Sequence, residues 1–116
     1  MDNITFDEFG KVDIRIGHVL EAEVPRWSHW VLKMKVDFGE KIGVKQCFSG
    51  IMKFYKPEDL IGKKFPFVTN LEPKTIGPEK ELSEAMMIMA VPKEDEETVP
   101  ILFKISSKVP SGAKVR

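Results

Sequence analysis

A single cysteine in 116 residues rules out an internal disulfide, and a chain of this length can bury a sufficient core without one. Only two histidines are present, His18 and His29. Neither they nor Cys47 fall into a Cys-x-x-Cys, His-x-x-x-His or glutamate-rich metal spacing. No glycine-rich phosphate loop occurs, because Gly39 and Gly43 read as turn and strand residues. The longest unbroken apolar run is Ala85 to Val91, seven residues, far short of the roughly 20 that span a membrane. Met1-Asp2-Asn3 carries no basic group and leads into no apolar stretch, so no export signal is expected. These absences point to one non-enzymatic domain over residues 1–116, soluble and cytoplasmic, with no metal, no cofactor and no membrane insertion.

Net charge is also missing: 18 Lys and Arg balance 18 Asp and Glu. The balance is uneven along the chain. Residues 1–32 carry three basic and six acidic groups, and residues 72–97 carry three and eight. Residues 33–64 carry eight basic against four acidic, and residues 98–116 four against none. Separated blocks of sign can build a local basic face on a neutral protein, or can intermix into an ordinary solvated surface.

What is present is mostly strand. Thr5-x-x-Glu8 forms a capping box, Ile4 and Phe9 occupy the staple positions, and Gly10 ends a helix of little more than one turn. Val12 to Val24 then alternates apolar and polar residues in a long first strand, with Gly17 marking a bulge or bend. Leu32, Met34 and Val36 alternate with Lys33, Lys35 and Asp37 in a second strand. After a turn at Phe38-Gly39-Glu40, a third strand is expected to turn Ile42, Val44, Gln46 and Phe48 inward. Cys47 then faces outward. Pro57 to Gly62 reads as a short helix, with Pro57 at its first position and acids in its first turn. A fourth strand, Lys64 to Leu71, contains Pro66, which argues for an edge. A loop follows from Glu72 to Glu81. Glu84 to Val91, apolar on both faces, is expected to be buried on both, and Thr98 to Ile105 makes a sixth, added strand.

Three strands, a short helix and two more strands is the order of the OB-fold, a five-stranded Greek-key barrel. The fold class is therefore all-β: an OB barrel with short helices and an added terminal strand. Asp7 to Val19 resembles the opening of the tRNA-binding-domain family. So do Val36-Asp37-Phe38-Gly39, Tyr55 to Lys63, Asn70-Leu71, Ser83-Glu84 and the closing Val109-Pro110-Ser111-Gly112. Ile42 to Gln46 resembles the CsaA branch in particular. The resemblance spans essentially the whole chain. It implies a non-catalytic homodimer that binds tRNA or, as in CsaA proteins, acts as a chaperone for unfolded export precursors. An aminoacyl-tRNA synthetase is a further implied partner. Where tRNA-binding members carry Ala-Asp-Lys-Leu, this chain has Ser28-His29-Trp30-Val31, and Ser83-Glu84-Ala85-Met86 replaces Ser-x-Gly-Met.

Candidate site residues follow. Lys33, Lys35 and Lys45 share the outward parity, and an even-sum hairpin register would set two of them opposite one another. That repulsion costs a few tenths of a kcal/mol and a polyanion would relieve it with counterion release; flexible lysines could equally splay into water. Trp27 and Trp30 lie in the loop between the first two strands, one of the two loops OB-folds use for ligands. Their rings could stack on bases, grip an unfolded peptide together with Met52, Phe54 and Tyr55, or close the barrel end. Ser83 would hydrogen-bond an RNA backbone. Ile4, Phe6 and Phe9 are assigned to the dimer, and His18, on the apolar parity, to a hydrogen-bonded place in the core.

Overall fold

In the computed structural model, which describes all 116 residues, β1 (Ile14–Glu23) is the spine of the sheet. Its alternating sequence lets it pair on both edges, with β2 (Leu32–Asp37) over its second half and β4 (Lys64–Val68) over its first. With β3 (Val44–Ser49) and β7 (Met86–Met87), the strand order is β3-β2-β1-β4-β7, all neighbours antiparallel. Closure between the two ends is made by Glu84, whose N–H donates to the Gln46 carbonyl at 2.8 Å. The Phe48 N–H donates to Ser83 Oγ at 3.1 Å beside it. The result is a nearly closed five-stranded antiparallel barrel, the OB-fold.

Its interior holds Val19, Leu32, Met34 and Val36 from β1 and β2, Phe65 and Phe67 from β4, and Met87 from β7. Phe38 meets Phe67 edge-on, with ring centroids 5.3 Å apart. These rings explain Gly17, where a Cβ would overlap Val36, Phe38 and Phe67. Gly17 is thus a close-approach position and not a bulge; the bulge falls at Leu20, where the β1–β2 register shifts between Val19 and Glu21.

Several expectations change. The β2–β3 register pairs Met34 with Cys47, Lys33 with Phe48, Lys35 with Gln46 and Val36 with Lys45. Cys47 therefore points inward and is fully buried, while Val44 is 57% exposed. Burial, with the Glu84 carboxylate adding to it, pushes the Cys47 thiol up to about 12, so it packs as a small hydrophobe. Pro66 lies on an inner strand. Its carbonyl accepts from Ile88 at 3.0 Å, but it has no N–H to return. The ladder lapses there, and the expected fifth strand splits into β7 and β8 (Met89–Ala90). Met86 on this segment is exposed, so it is not buried on both faces.

The expected loop before it contains a hairpin, β5 (Lys74–Ile76) and β6 (Glu81–Ser83). The expected helix shrinks to a 3₁₀ turn over Pro57–Asp59, with Ile51 and Leu60 buried on either side of it. The sixth strand is reduced to β9 (Ile101–Leu102), paired with β8. A last strand, β10 (Lys114–Val115), pairs with the start of β1. At the N-terminus α1 (Phe6–Gly10) has its full capping box, with Thr5 Oγ1 accepting from the Glu8 N–H and Glu8 accepting from the Thr5 N–H.

Candidate nucleic-acid and peptide interface

The loop between β1 and β2 is built around a buried serine. Ser28 Oγ accepts from the N–H groups of Trp30 and Val31 at 3.1 and 3.0 Å, and the Ser28 N–H donates to the Pro25 carbonyl. This short-range knot, the device serine offers in turns, sends the two indoles in different directions. Trp27 lies over Gly77 at the tip of the β5–β6 hairpin, where any Cβ would overlap its ring. It packs against Phe48 at 6.1 Å and meets Trp30 edge-on at 5.9 Å. Trp30 remains 56% exposed.

Trp30 stands on the wall of a groove of about 830 Å³. Phe54, Met86, Met89 and Val91 are among its apolar lining, and His29, Lys53, Asp95 and Glu96 are among its polar lining. Asp95 is tied into its own turn, accepting from the Glu97 and Thr98 N–H groups and the Thr98 hydroxyl, which holds its carboxyl below the ordinary range. A second groove of about 470 Å³ adjoins it across Phe48 and Met86 and includes Ser83, Leu71 and Ile76. Of the expected peptide-gripping residues, Phe54 lines the first groove. Met52 and Tyr55 pack instead against the core, and the Tyr55 hydroxyl donates to the Pro100 carbonyl at 2.6 Å. Met86, Met89 and Val91 went unsuspected because their segment read as a strand buried on both sides.

The three lysines do not oppose one another, since the odd register sets each against a different uncharged residue. Each instead meets a glutamate. Lys33 binds Glu81 at 2.5 Å with Glu23 at 3.8 Å, Lys35 meets Glu21 at 3.6 Å, and Lys45 meets Glu84 at 3.7 Å. The hydrogen bond to Glu81 raises the Lys33 pKa above its ordinary value, against the opposing effect of burial. Ser83 Oγ is engaged as an acceptor by Phe48, leaving its hydroxyl hydrogen to donate. His18 is half-buried and makes no side-chain hydrogen bond within the chain, so it is not a satisfied core histidine. Ile4, just ahead of the Thr5 N-cap, lies together with Phe6 and Phe9 of α1, all three exposed. No group of three or more His, Cys, Asp or Glu side chains is gathered as metal ligands would be, and no helix is long and apolar enough to cross a membrane.

The nearly closed five-stranded barrel, with its aromatic first loop and flanking grooves, places the chain in the OB-fold class of β-barrel domains. Residues 14–114 match the family described as "Putative tRNA binding domain", and the chain belongs to that family. It is 38% identical to the methionine–tRNA ligase of Clostridium perfringens over 115 residues, 99% of this chain and 17% of that protein. It is 40% identical to the methionine–tRNA ligase of Methanocaldococcus jannaschii over 117 residues, 100% of this chain and again 17% of the relative. The chain thus spans about a sixth of the length of these relatives. Among solved structures, a MetRS-related protein from Pyrococcus horikoshii superposes with a TM-score of 0.88 at 35% identity, over the whole of both chains. The chaperone CsaA of Bacillus anthracis superposes with a TM-score of 0.82 at 33% identity, covering 99% of this chain and all of its own.

Proposed function

We infer that the chain is a non-enzymatic RNA-binding module that engages tRNA as a cytoplasmic homodimer and serves an aminoacyl-tRNA synthetase. The family match over residues 14–114 carries this reading, and the likeness to segments of methionine–tRNA ligases supports the synthetase connection. Trp30, half-exposed on the first loop, is the stacking group. Trp27 backs it, the Ser83 hydroxyl donates to the RNA backbone, and Lys33, Lys35 and Lys45 contact phosphates by exchanging their glutamate partners for the ligand. The groove beside Trp30 favours a second reading, a CsaA-like chaperone for unfolded export precursors. There Trp30 and Phe54 grip apolar side chains, with Trp27, Met52 and Tyr55 supporting the wall, while Asp95 and Glu96 attract flanking basic residues.

A competition assay separates the two. With the whole chain and a fluorescent tRNA pool, unlabelled tRNA should displace the probe, and raising the salt should weaken binding steeply because phosphate contacts release counterions. Displacement of a labelled unfolded polypeptide by other unfolded chains but not by tRNA, nearly indifferent to salt, would replace the first reading by the second. Binding of neither ligand would defeat both.

A further inference from the structure

The two basic blocks of the sequence, residues 33–64 and 98–116, meet at one place in the fold. Lys64 opens β4 opposite His18 of β1, and the Ile105 N–H donates to the Lys64 carbonyl at 3.2 Å, laying the C-terminal segment across the start of β4. Between them is a pocket of about 510 Å³ whose polar side chains are His18, Lys63, Lys64, Lys104 and Ser107, with no carboxylate in its wall. None of these three lysines forms an ion pair, whereas every lysine of the β2–β3 face does.

The pocket is partly preorganised. Lys64 Nζ donates to the carbonyls of Ser107 and Val109 at 3.1 and 2.6 Å, which holds its ammonium half-buried in the wall and leaves one of its three N–H donors free. Lys63 and Lys104 are exposed beside it and can close on a ligand. The imidazole of His18 and the hydroxyl of Ser107 make no side-chain hydrogen bond within the chain, so both can donate to a ligand oxygen. Gathering three ammonium groups with no counter-charge is unfavourable until an anion enters. A lone carboxylate would neutralise only one of them, while a chain of phosphates meets all three. Lysines act on phosphate as point charges without the fixed fork of arginine, which suits contact with a backbone irrespective of base sequence.

We propose that the pocket formed by His18, Lys63, Lys64, Lys104 and Ser107 is a phosphate site that takes consecutive backbone phosphates of a bound RNA. The assignment rests on the RNA-binding reading above and adds a second surface to it, one that shares no lining residue with the groove beside Trp30.

Lys63→Gln/Lys104→Gln tests it without touching the structural Lys64. Each lost phosphate contact removes about 0.9 from the log–log salt slope for a duplex, or about 0.7 for a single strand. The double variant should therefore bind a tRNA pool with a slope shallower by about 1.4 to 1.8, and roughly tenfold or more weakly at moderate salt. Lys63→Arg/Lys104→Arg should restore the slope. A slope equal to that of the unsubstituted chain overturns the proposal and leaves the RNA-binding reading standing. Titration with inorganic pyrophosphate, followed by amide shifts in NMR, is independent of RNA. Shifts confined to residue 18 and residues 62–64 and 104–107 support the pocket even if no tRNA binds, and their absence overturns it.

Discussion

Trp27 and Trp30 are three residues apart and of one chemistry, yet packing gives them different work. Gly77 has a φ of +78° and lies beneath the Trp27 ring, so Gly77→Ala meets both backbone strain and a steric overlap. It should destabilise the fold by roughly 2 kcal/mol or more, read as a lower urea midpoint with unchanged m-value. Trp30→Ala should cost about 0.5–1.5 kcal/mol of stability, the worth of its edge-on contact with Trp27, while costing about 1–3 kcal/mol in ligand binding. Equal binding by this variant and the unsubstituted chain would remove Trp30 from the interface.

Asp13 belongs to the same scale. The Thr69 hydroxyl donates to its Oδ2 at 2.5 Å and Arg15 Nε lies 3.0 Å from Oδ1. The hydrogen bond from Thr69 is the main cause holding its pKa below the ordinary 3.8, with Arg15 assisting and burial opposing. The folded-state value being the lower, the carboxylate's stabilisation is present above about pH 4 and fades as pH falls through the folded-state pKa. Asp13→Asn should lower the melting temperature at pH 7, through loss of roughly 1–2 kcal/mol of charge-assisted hydrogen bonding, and the two melting curves should converge as the pH falls below the folded-state pKa.

At the scale of elements, α1 is the piece whose stability the monomer does not explain. It has five residues, none buried, and Phe6 is 95% exposed. A capping box contributes about 1 kcal/mol, too little to hold so short a helix in water. Asn70 fastens only its trailing end, accepting from the Asp13 N–H and donating to the Lys11 carbonyl. The helix therefore needs a surface for Ile4, Phe6 and Phe9, and a second copy of the chain would provide one. Deleting residues 1–10 should raise the dimer dissociation constant by at least tenfold in sedimentation equilibrium while leaving the barrel's far-UV spectrum intact. An unchanged constant would place the dimer contact elsewhere. The β5–β6 hairpin is the contrasting case. Two strands alone are marginal, but Trp27, the Lys33–Glu81 pair and the Ser83–Phe48 hydrogen bond fasten this one to the barrel.

For the molecule as a whole, charge and assembly matter more than any one contact. A neutral chain holds a polyanion at least cost where its positive groups are left unpaired in one region. The barrel pairs the lysines of β2 and β3 with glutamates and leaves those around β4 and the C-terminal segment unpaired. Light scattering should report a particle of about twice the 13.2 kDa chain mass at micromolar concentration, and a clean monomer would contradict the homodimer.

Local chemistry was legible in the sequence because it acts over a few residues. The Thr5–Glu8 capping box, the period-two runs of β1 to β3 and their order before the Pro57 turn all follow from spacing alone, and that order defines the OB barrel. Tertiary structure decided what spacing cannot carry. Phe48 is apolar yet outward, because Trp27 and the β5–β6 hairpin cover it from outside, so the parity of β3 is set by a partner about 20 residues away and Cys47 turns inward. Lys33 is quenched by Glu81, 48 residues on, and Lys64 is aimed by carbonyls more than 40 residues on. Alternation along a strand reports two faces; only the elements packed against each face determine which is dry, which is charged and which is open to a ligand.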